Sequence, residues 1–545
     1  MYRSRHRPWS TPVREGLHSQ VSTRADTFSP PRSPRDYGPR MACVIAVDAG
    51  TTGVRALAVD SSGDVVDLAY CRFTQRFPRP AWVEHDPLEI WNAVVDTLKA
   101  VTLRQQAAGN AIATIGVTNQ RETVVAWDRK SGLPLHRAIV WQDRRTAERC
   151  DQLRDEGYLP LVRERTGLIL DAYFSATKME WLLHQGGLTP NPDLVLGTVD
   201  SWVVWNLTGG VDGGVLATEP SNAARTLLLD IHALTWSEDL CALFGVPTTA
   251  LPELRPSCGR FGVVGGDLGG NGSPLAGVPV SGVAGDQQAA LFGQACFDPG
   301  MAKATYGTGT FVLLNVGDVC PSPVEGLLTT VAWDLGKHHG SCEVAYVLEG
   351  AVFSTGSAIQ WLCDGLGMMV DPDETEPLAL QVPDTDGVYI VPAFTGMGSP
   401  WWDPYARGTI IGLTRGTGKA QLARAVVEAM AYQVRDVVDA MRGSGAVIAT
   451  LRVDGGASAM SLLLQLQADQ IRVPVMRPTT TETTALGVAT MAGLAEGVWG
   501  SLEDLAALWT ADVEYQPKAS TVAADLAHAG WQRAVERSLG WAAAP

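Results

Sequence analysis

Two stretches, VDAGTTGVRALAVD (residues 47–60) and TYGTGTFVLLNVG (305–317), follow one plan: an apolar strand, a turn of Gly and Thr, and a second apolar strand. Such turns can aim backbone N–H groups and Thr hydroxyls at a phosphate. They match neither a Walker loop nor a dinucleotide-binding GxGxxG, so neither of those folds is supported. Two copies about 255 residues apart suggest a duplicated domain, as self-similarity at long range does in general. Facing each other, the two hairpins would enclose a cleft for a nucleoside triphosphate. At 545 residues the chain is also too long for a single ordinary core.

The intervening sequence alternates strands with helices. MACVIAVDAG, VRALAVD and VVDLAYC read as three consecutive antiparallel strands. PLEIWNAVVDTLKAV, AIQWLCDGL, AQLARAVVEAMAYQVRDVVDAM and SLLLQLQADQI read as helices. That alternation indicates an α/β class.

Three polar features stand out against this background. In GVTNQRETVVAWD (116–128) Arg121 and Glu122 lie side by side between two apolar strands. A surface turn with an incidental ion pair is one explanation, and such pairs contribute only about 0–1 kcal/mol. Asp286, in SGVAGDQQAALFGQ, stands where a strand gives way to a helix. It serves either as a helix cap or as a group meeting whatever the second hairpin holds. In LRVDGGASAM (451–460) a glycine pair precedes a helix expected to start after Gly456, which would let a ligand approach the backbone.

Composition narrows the partners. The net charge of −16 argues against nucleic acid and anionic membranes, both of which favour a basic face. No apolar run reaches the ~18–20 residues of a membrane helix, so no membrane insertion is expected. Nine Cys are scattered singly without CxxC, as expected of buried thiols in a reducing cytosol. Residues 1–40 carry eight Arg and three acidic residues and lack an apolar signal core. They are expected to be a disordered extension, or sequence ahead of a start at Met41.

Taken in order, VDAGTTGVRA, GVTNQRET, IVWQDRRTA, YFSATKMEWLL, AGDQQAALFG, TYGTGTF, EGAVFSTGSAIQWL, VPAFTGMGSPWWDPYARGTIIGLTRG and VDGGASA resemble the FGGY carbohydrate kinases. The similarity is greatest to the glycerol-phosphorylating members. It implies two RNase-H-like α/β domains of the actin/hexokinase/Hsp70-like fold around a central cleft. Residues 41–295 would carry the polyol site and first phosphate hairpin, and residues 296–545 the nucleotide site. The resemblance further implies ATP and Mg²⁺, a cytoplasmic location and a homodimer or homotetramer. Arg121, Glu122, Tyr173, Asp286 and Gln287 match the family positions that hold glycerol hydroxyls, and Trp141 and Phe311 those against its carbons. Thr51, Thr52, Gly53, Arg55, Thr308, Gly356, Gln360, Gly456 and Met460 match nucleotide positions. Asp48 and Asp286 match the carboxylates near the metal, and Asp286 the general base.

The chain departs from the family pattern at Ala49, at Gly53–Val54 and at Met460, where many members carry Asn against the adenine. Two alternatives stay open at this level: a kinase of another polyol or ketose (xylulose, ribulose, erythritol, dihydroxyacetone), and a non-catalytic nucleotide-binding regulator.

Overall fold

Strands Ala42–Ala49 and Gly53–Val59 pair antiparallel around the first Gly/Thr turn, with Val44 opposite Val59 and Asp48 opposite Arg55. Val65–Arg72 adds a third antiparallel strand, as the sequence predicts. On the other side of Ala42–Ala49 run two parallel strands, Ala111–Asn119 and then Pro279–Gly285. The short Gly262–Val263 closes that edge of a six-stranded sheet. These features belong to a computed structural model, which describes residues 42–268, 273–336 and 344–542. The expectation for residues 1–40 therefore lies outside the described residues.

A second sheet repeats the plan. Met301–Tyr306 and Thr310–Gly317 form the second hairpin, and Val344–Val352 is their third antiparallel strand. Thr450–Asp454 and Val475–Pro478 are the two parallel strands beyond Met301–Tyr306. Leu328–Asp334 and Ala511–Tyr515 extend the sheet to seven strands. Three antiparallel strands followed by two parallel ones thus occur twice. The duplication inferred from the two turns is a duplication of architecture.

Helices cover the sheets through apolar stripes at helical spacing. Pro87–Ala107 starts at the N-cap Asp86, whose carboxylate accepts from Leu88 N at 3.0 Å, and Pro87 occupies the first turn. Ile90, Val94, Leu98 and Val101 are fully buried in the core of the first domain. In the second domain Lys419–Gly443 buries Val427, Met430, Val434, Val437 and Met441 in the same way.

Two helices join the halves. Thr483–Ala495 follows Val475–Pro478 of the second sheet but packs against Asp286–Gly293, which follows the first sheet. At Gly487 an added Cβ would lie 1.8 Å from the carbonyl of Ala289, so the backbones touch where only glycine fits. Asp454 Oδ2 accepts from Thr483 Oγ1 at 2.6 Å and from Gln294 Nε2 at 2.8 Å, fixing the end of Thr450–Asp454 to both helices.

Val124–Asp128 is a strand, as the sequence predicts, and belongs to a separate four-stranded sheet with Glu84–His85, Ala138–Ile139 and Leu194–Thr198. The NQRE segment is therefore a corner between two sheets. One local expectation changes. After the glycine pair of LRVDGGASAM, a 3₁₀ turn over Gly456–Ala459 intervenes and the helix begins at Ser461. Gly455, at φ 85°, packs against the backbone of Tyr306, and the chain needs that extra turn before it can become helical. No helix among the described residues is long and apolar enough to cross a membrane.

Candidate active site

The corner at NQRE is strained and sealed. Glu122 has φ 60°, a left-handed conformation uncommon for a residue with a side chain. Thr123 N donates to Arg121 O at 2.8 Å, and Ser175 Oγ donates to Glu122 O at 3.0 Å, which together hold it. Arg121 and Glu122 are 2% and 1% exposed. A surface turn with an incidental ion pair is thereby excluded.

Arg121 forks onto Glu349 of the second sheet, with Nη1 2.7 Å from Oε2 and Nη2 3.0 Å from Oε1. Its Nη1 also donates to Gln288 Oε1 at 3.1 Å. Its Nε lies 3.9 Å from Glu122 Oε1 and 3.3 Å from Asp286 Oδ1. A second buried arginine, Arg225, donates Nε to Glu122 Oε1 at 2.6 Å and places Nη2 3.1 Å from Glu349 Oε1. Two guanidiniums and two carboxylates therefore interlock across the two domains. Asp286, with 32% of its side chain exposed, is the open end of this network.

Sequence reasoning missed Arg225 and Glu349. The one signal for Glu349 was a charged residue inside the apolar strand VAYVLEGAV.

Burial alone would lower the proton affinity of Arg121, but Glu349 and Glu122 hold it well above its ordinary value. Burial raises the Glu122 carboxyl against the opposing pull of Arg225 and Arg121. Asp286 is likewise raised by burial, with Arg121 and Lys303 pulling the other way. Asp48 is pushed up to about 6, first by burial and then by Asp286 and Glu482, against Arg55. Asp48 thus senses the charge of Asp286.

The aromatic candidates adjoin the corner. The Trp141 and Tyr173 rings meet edge to face at 5.6 Å, and Tyr173 is 7% exposed. Trp141 Nε1 donates to Thr51 Oγ1 at 3.0 Å, tying this wall to the first Gly/Thr turn. Phe311, just after the Gly/Thr turn on the second strand of the second hairpin, lies 5.8 Å beneath the Arg121 guanidinium. Gln287 follows Asp286 in the first turn of its helix, and its Oε1 accepts from the buried Lys303 Nζ.

The nucleotide candidates divide between the two domains. Thr308, Gly356, Gln360, Gly456 and Met460 line one cavity of about 940 Å³ on the second domain, together with Ile359 and Trp361. Thr51, Thr52, Gly53 and Arg55 lie outside that cavity, on the first hairpin. Thr52 Oγ1 is 3.4 Å from Tyr70 Oη, and Gly53 opens the strand that carries Arg55. Arg55 crosses between the domains, with Nη1 2.7 Å from Glu482 Oε2 and Nε 3.9 Å from Asp48 Oδ2. Among the described residues, no group of three or more His, Cys, Asp or Glu is placed to hold a metal ion by itself.

Residues 43–293 match the N-terminal domain of the FGGY family of carbohydrate kinases, and residues 302–496 match its C-terminal domain. Glycerol kinase 2 of Thermotoga maritima is 48% identical over 506 residues, covering 92% of this chain and 99% of its own. The glycerol kinase of Dechloromonas aromatica is 49% identical over 504 residues, covering 92% and 98%. Among solved structures, Plasmodium falciparum glycerol kinase with ADP has a TM-score of 0.84 at 33% identity, covering 92% of this chain and 99% of that one. A ligand-bound xylulose kinase from Lactobacillus acidophilus has a TM-score of 0.79 at 20% identity, covering 91% and 97%, a likeness of fold alone.

Proposed function

Because the chain belongs to the FGGY family of carbohydrate kinases, we propose that it transfers the γ-phosphoryl group of ATP to glycerol, giving sn-glycerol 3-phosphate. The observation that carries this proposal is the sealed Arg121–Glu122 pair opening onto Asp286 beside the Trp141–Tyr173 wall. Each hydroxyl of glycerol both donates and accepts a hydrogen bond, whereas a guanidinium only donates and an ionised carboxylate only accepts. An adjacent Arg and Glu can therefore bracket vicinal hydroxyls. Trp141 and Phe311 offer apolar surface to the carbon face, and Tyr173 and Gln287 supply further polar contacts. The glycerol kinases of comparable length at 48–49% identity favour glycerol over the larger sugars.

In this mechanism Asp286 accepts the proton as the hydroxyl attacks the γ-phosphorus in line. The adenosine occupies the cavity lined by Gly356, Gln360, Gly456 and Met460, and Thr308 and the Thr51–Thr52 turn face the phosphates from opposite domains. Asp48 and Asp286 fit a magnesium ion, which prefers oxygen donors and is usually held by one or two carboxylates plus substrate phosphates. Burial raises the proton affinity of both carboxylates, so a cation beside them would favour their ionised forms. When bound, Mg²⁺ neutralises phosphate charge. Closure of the domains excludes water that would otherwise take the phosphoryl group.

The test is ADP release with glycerol, erythritol, dihydroxyacetone, xylulose and ribulose. Glycerol should give the highest kcat/KM, and a higher value for a ketopentose overturns the substrate assignment. A protein inert towards every acceptor would be a nucleotide-binding regulator instead.

Met460 makes a separate prediction. It lines the nucleotide cavity with an apolar, flexible side chain and only a weak sulfur acceptor. Hydrogen-bond recognition of the base from this position is absent, so ATP and GTP should be poorly distinguished. Met460→Asn should raise the ATP preference roughly 2- to 13-fold, the equivalent of one neutral hydrogen bond. Steady-state kcat/KM for both nucleotides decides it; an unchanged ratio would mean that Met460 does not face the base.

A further inference from the structure

Lys303 lies on Met301–Tyr306, the strand that leads into the second Gly/Thr turn. It is completely buried, yet both of its hydrogen-bond partners are neutral: Gln287 Oε1, and Thr305 Oγ1 at 2.9 Å. Asp454, Asp286 and Glu349 are near enough to favour its charge, but none of them hydrogen-bonds to it, and burying an ammonium without a carboxylate in direct contact is costly. A use for it is legible in the contact. An ammonium has no acceptor, so the atom of the Gln287 amide that meets it must be the oxygen. The amide nitrogen is then forced to the opposite side. Among the described residues Nε2 makes no hydrogen bond, and Gln287 retains 9% of its surface beside the open edge at Asp286. The neighbouring Gln288 is fixed by the same logic, with Oε1 on Arg121 and Nε2 donating to Val331 O at 3.2 Å.

We propose that Lys303 is a positioning residue for the acceptor substrate: it holds Gln287 Oε1 and so turns the amide Nε2 toward the cleft, where the site presents a donor to a substrate oxygen. The proposal rests on the polyol-kinase function given above. It also explains why the contact spans the two domains. The strand that ends at the second phosphate turn fixes a group at the polyol side, so both substrates are referred to one rigid element.

The experiment is a double-mutant cycle with Lys303→Met, Gln287→Ala and the pair, together with Gln287→Glu. Each single substitution should raise the glycerol KM roughly tenfold, the effect of one misdirected buried polar group, and leave the ATP KM unchanged. The double variant should be no worse than the worse single one. In Gln287→Glu the carboxylate meets the ammonium, so this variant should melt above Gln287→Ala while its glycerol KM rises, because the cleft now sees an acceptor. Additive effects in the double variant, or an unchanged glycerol KM in Lys303→Met, overturn the proposal. If Lys303→Met does not fold, Gln287→Glu decides alone: melting at or below Gln287→Ala overturns it. The melting comparison needs no substrate, so failure here is distinct from failure of the functional assignment. Should another polyol prove to be the substrate, the cycle is run with that polyol and judged by the same outcomes.

Discussion

Asp286→Asn is expected to lower kcat by about 10²-fold or more, the usual scale of general-base catalysis. The substitution is nearly isosteric. The Asn side-chain oxygen can still accept from Gln287 N, as the carboxylate does at 2.7 Å, so the helix start should survive. The variant loses the ability to take a proton and the charge opposite Arg121 Nε. A group that matters mainly as the proton moves affects the transition state more than the ground state, so kcat should fall further than glycerol affinity. The pH profile adds an independent readout. Burial raises the Asp286 carboxyl while Arg121 and Lys303 oppose it, and the net effect lies above the ordinary carboxylate value. The base is active when deprotonated, so wild-type kcat should decline on acidification through that raised value; Asp286→Asn should lose this component, and any acidic decline left in its residual activity belongs to Asp48, whose carboxyl is pushed up to about 6. A variant with near-wild-type kcat would remove Asp286 from this role.

What the sequence made legible was local. Each Gly/Thr turn sits between two apolar runs within about twenty residues, and local pattern suffices for such a hairpin. Asp286 is visible because the strand and helix that meet there are adjacent in sequence. Arg121 and Glu122 are visible because they are neighbours, but their burial is not. It depends on Glu349, 228 residues from Arg121, and on Arg225, 103 residues from Glu122. No periodicity in either segment encodes those partners. Lys303 escaped notice for the same reason, since a single charge in MAKATY reads equally well as an edge-strand lysine. The delayed helix after Gly456 has a tertiary cause too, because the packing of Gly455 on Tyr306 joins segments far apart in the chain. Family resemblance located residues that match substrate positions, whereas the groups that hold those residues in place emerged only from the assembled fold.

Among those groups Glu349 carries the second large expectation. Glu349→Gln should destabilise the protein by about 3–5 kcal/mol, the cost of removing one partner from a buried ion network. The side chain is wholly buried and accepts two hydrogen bonds from Arg121, with Arg225 Nη2 3.1 Å away. Arg225 Nη1 and Nη2 make no hydrogen bond among the described residues, so Glu349 offsets their charge through proximity alone. An amide of the same shape leaves two buried guanidiniums with Glu122 between them and only Asp286, at the open edge 3.3 Å from Arg121 Nε, as a further carboxylate. Function should suffer with stability: Arg121 loses the fork that orients it, and glycerol KM should rise. The pH dependence follows from the sign of the shift. Burial pushes the Glu349 carboxyl up, but Arg121 and Arg225 outweigh it and hold it down at about 2, against an ordinary value of 4.5. Its contribution to stability is therefore complete above the unfolded-chain value and is lost progressively as pH falls from there toward about 2. Urea unfolding midpoints of the wild type and Glu349→Gln should differ most near neutrality and converge on acidification. Equal midpoints at neutral pH would mean that the two arginines find compensation elsewhere, and that the polyol corner does not depend on the second domain for its charge balance.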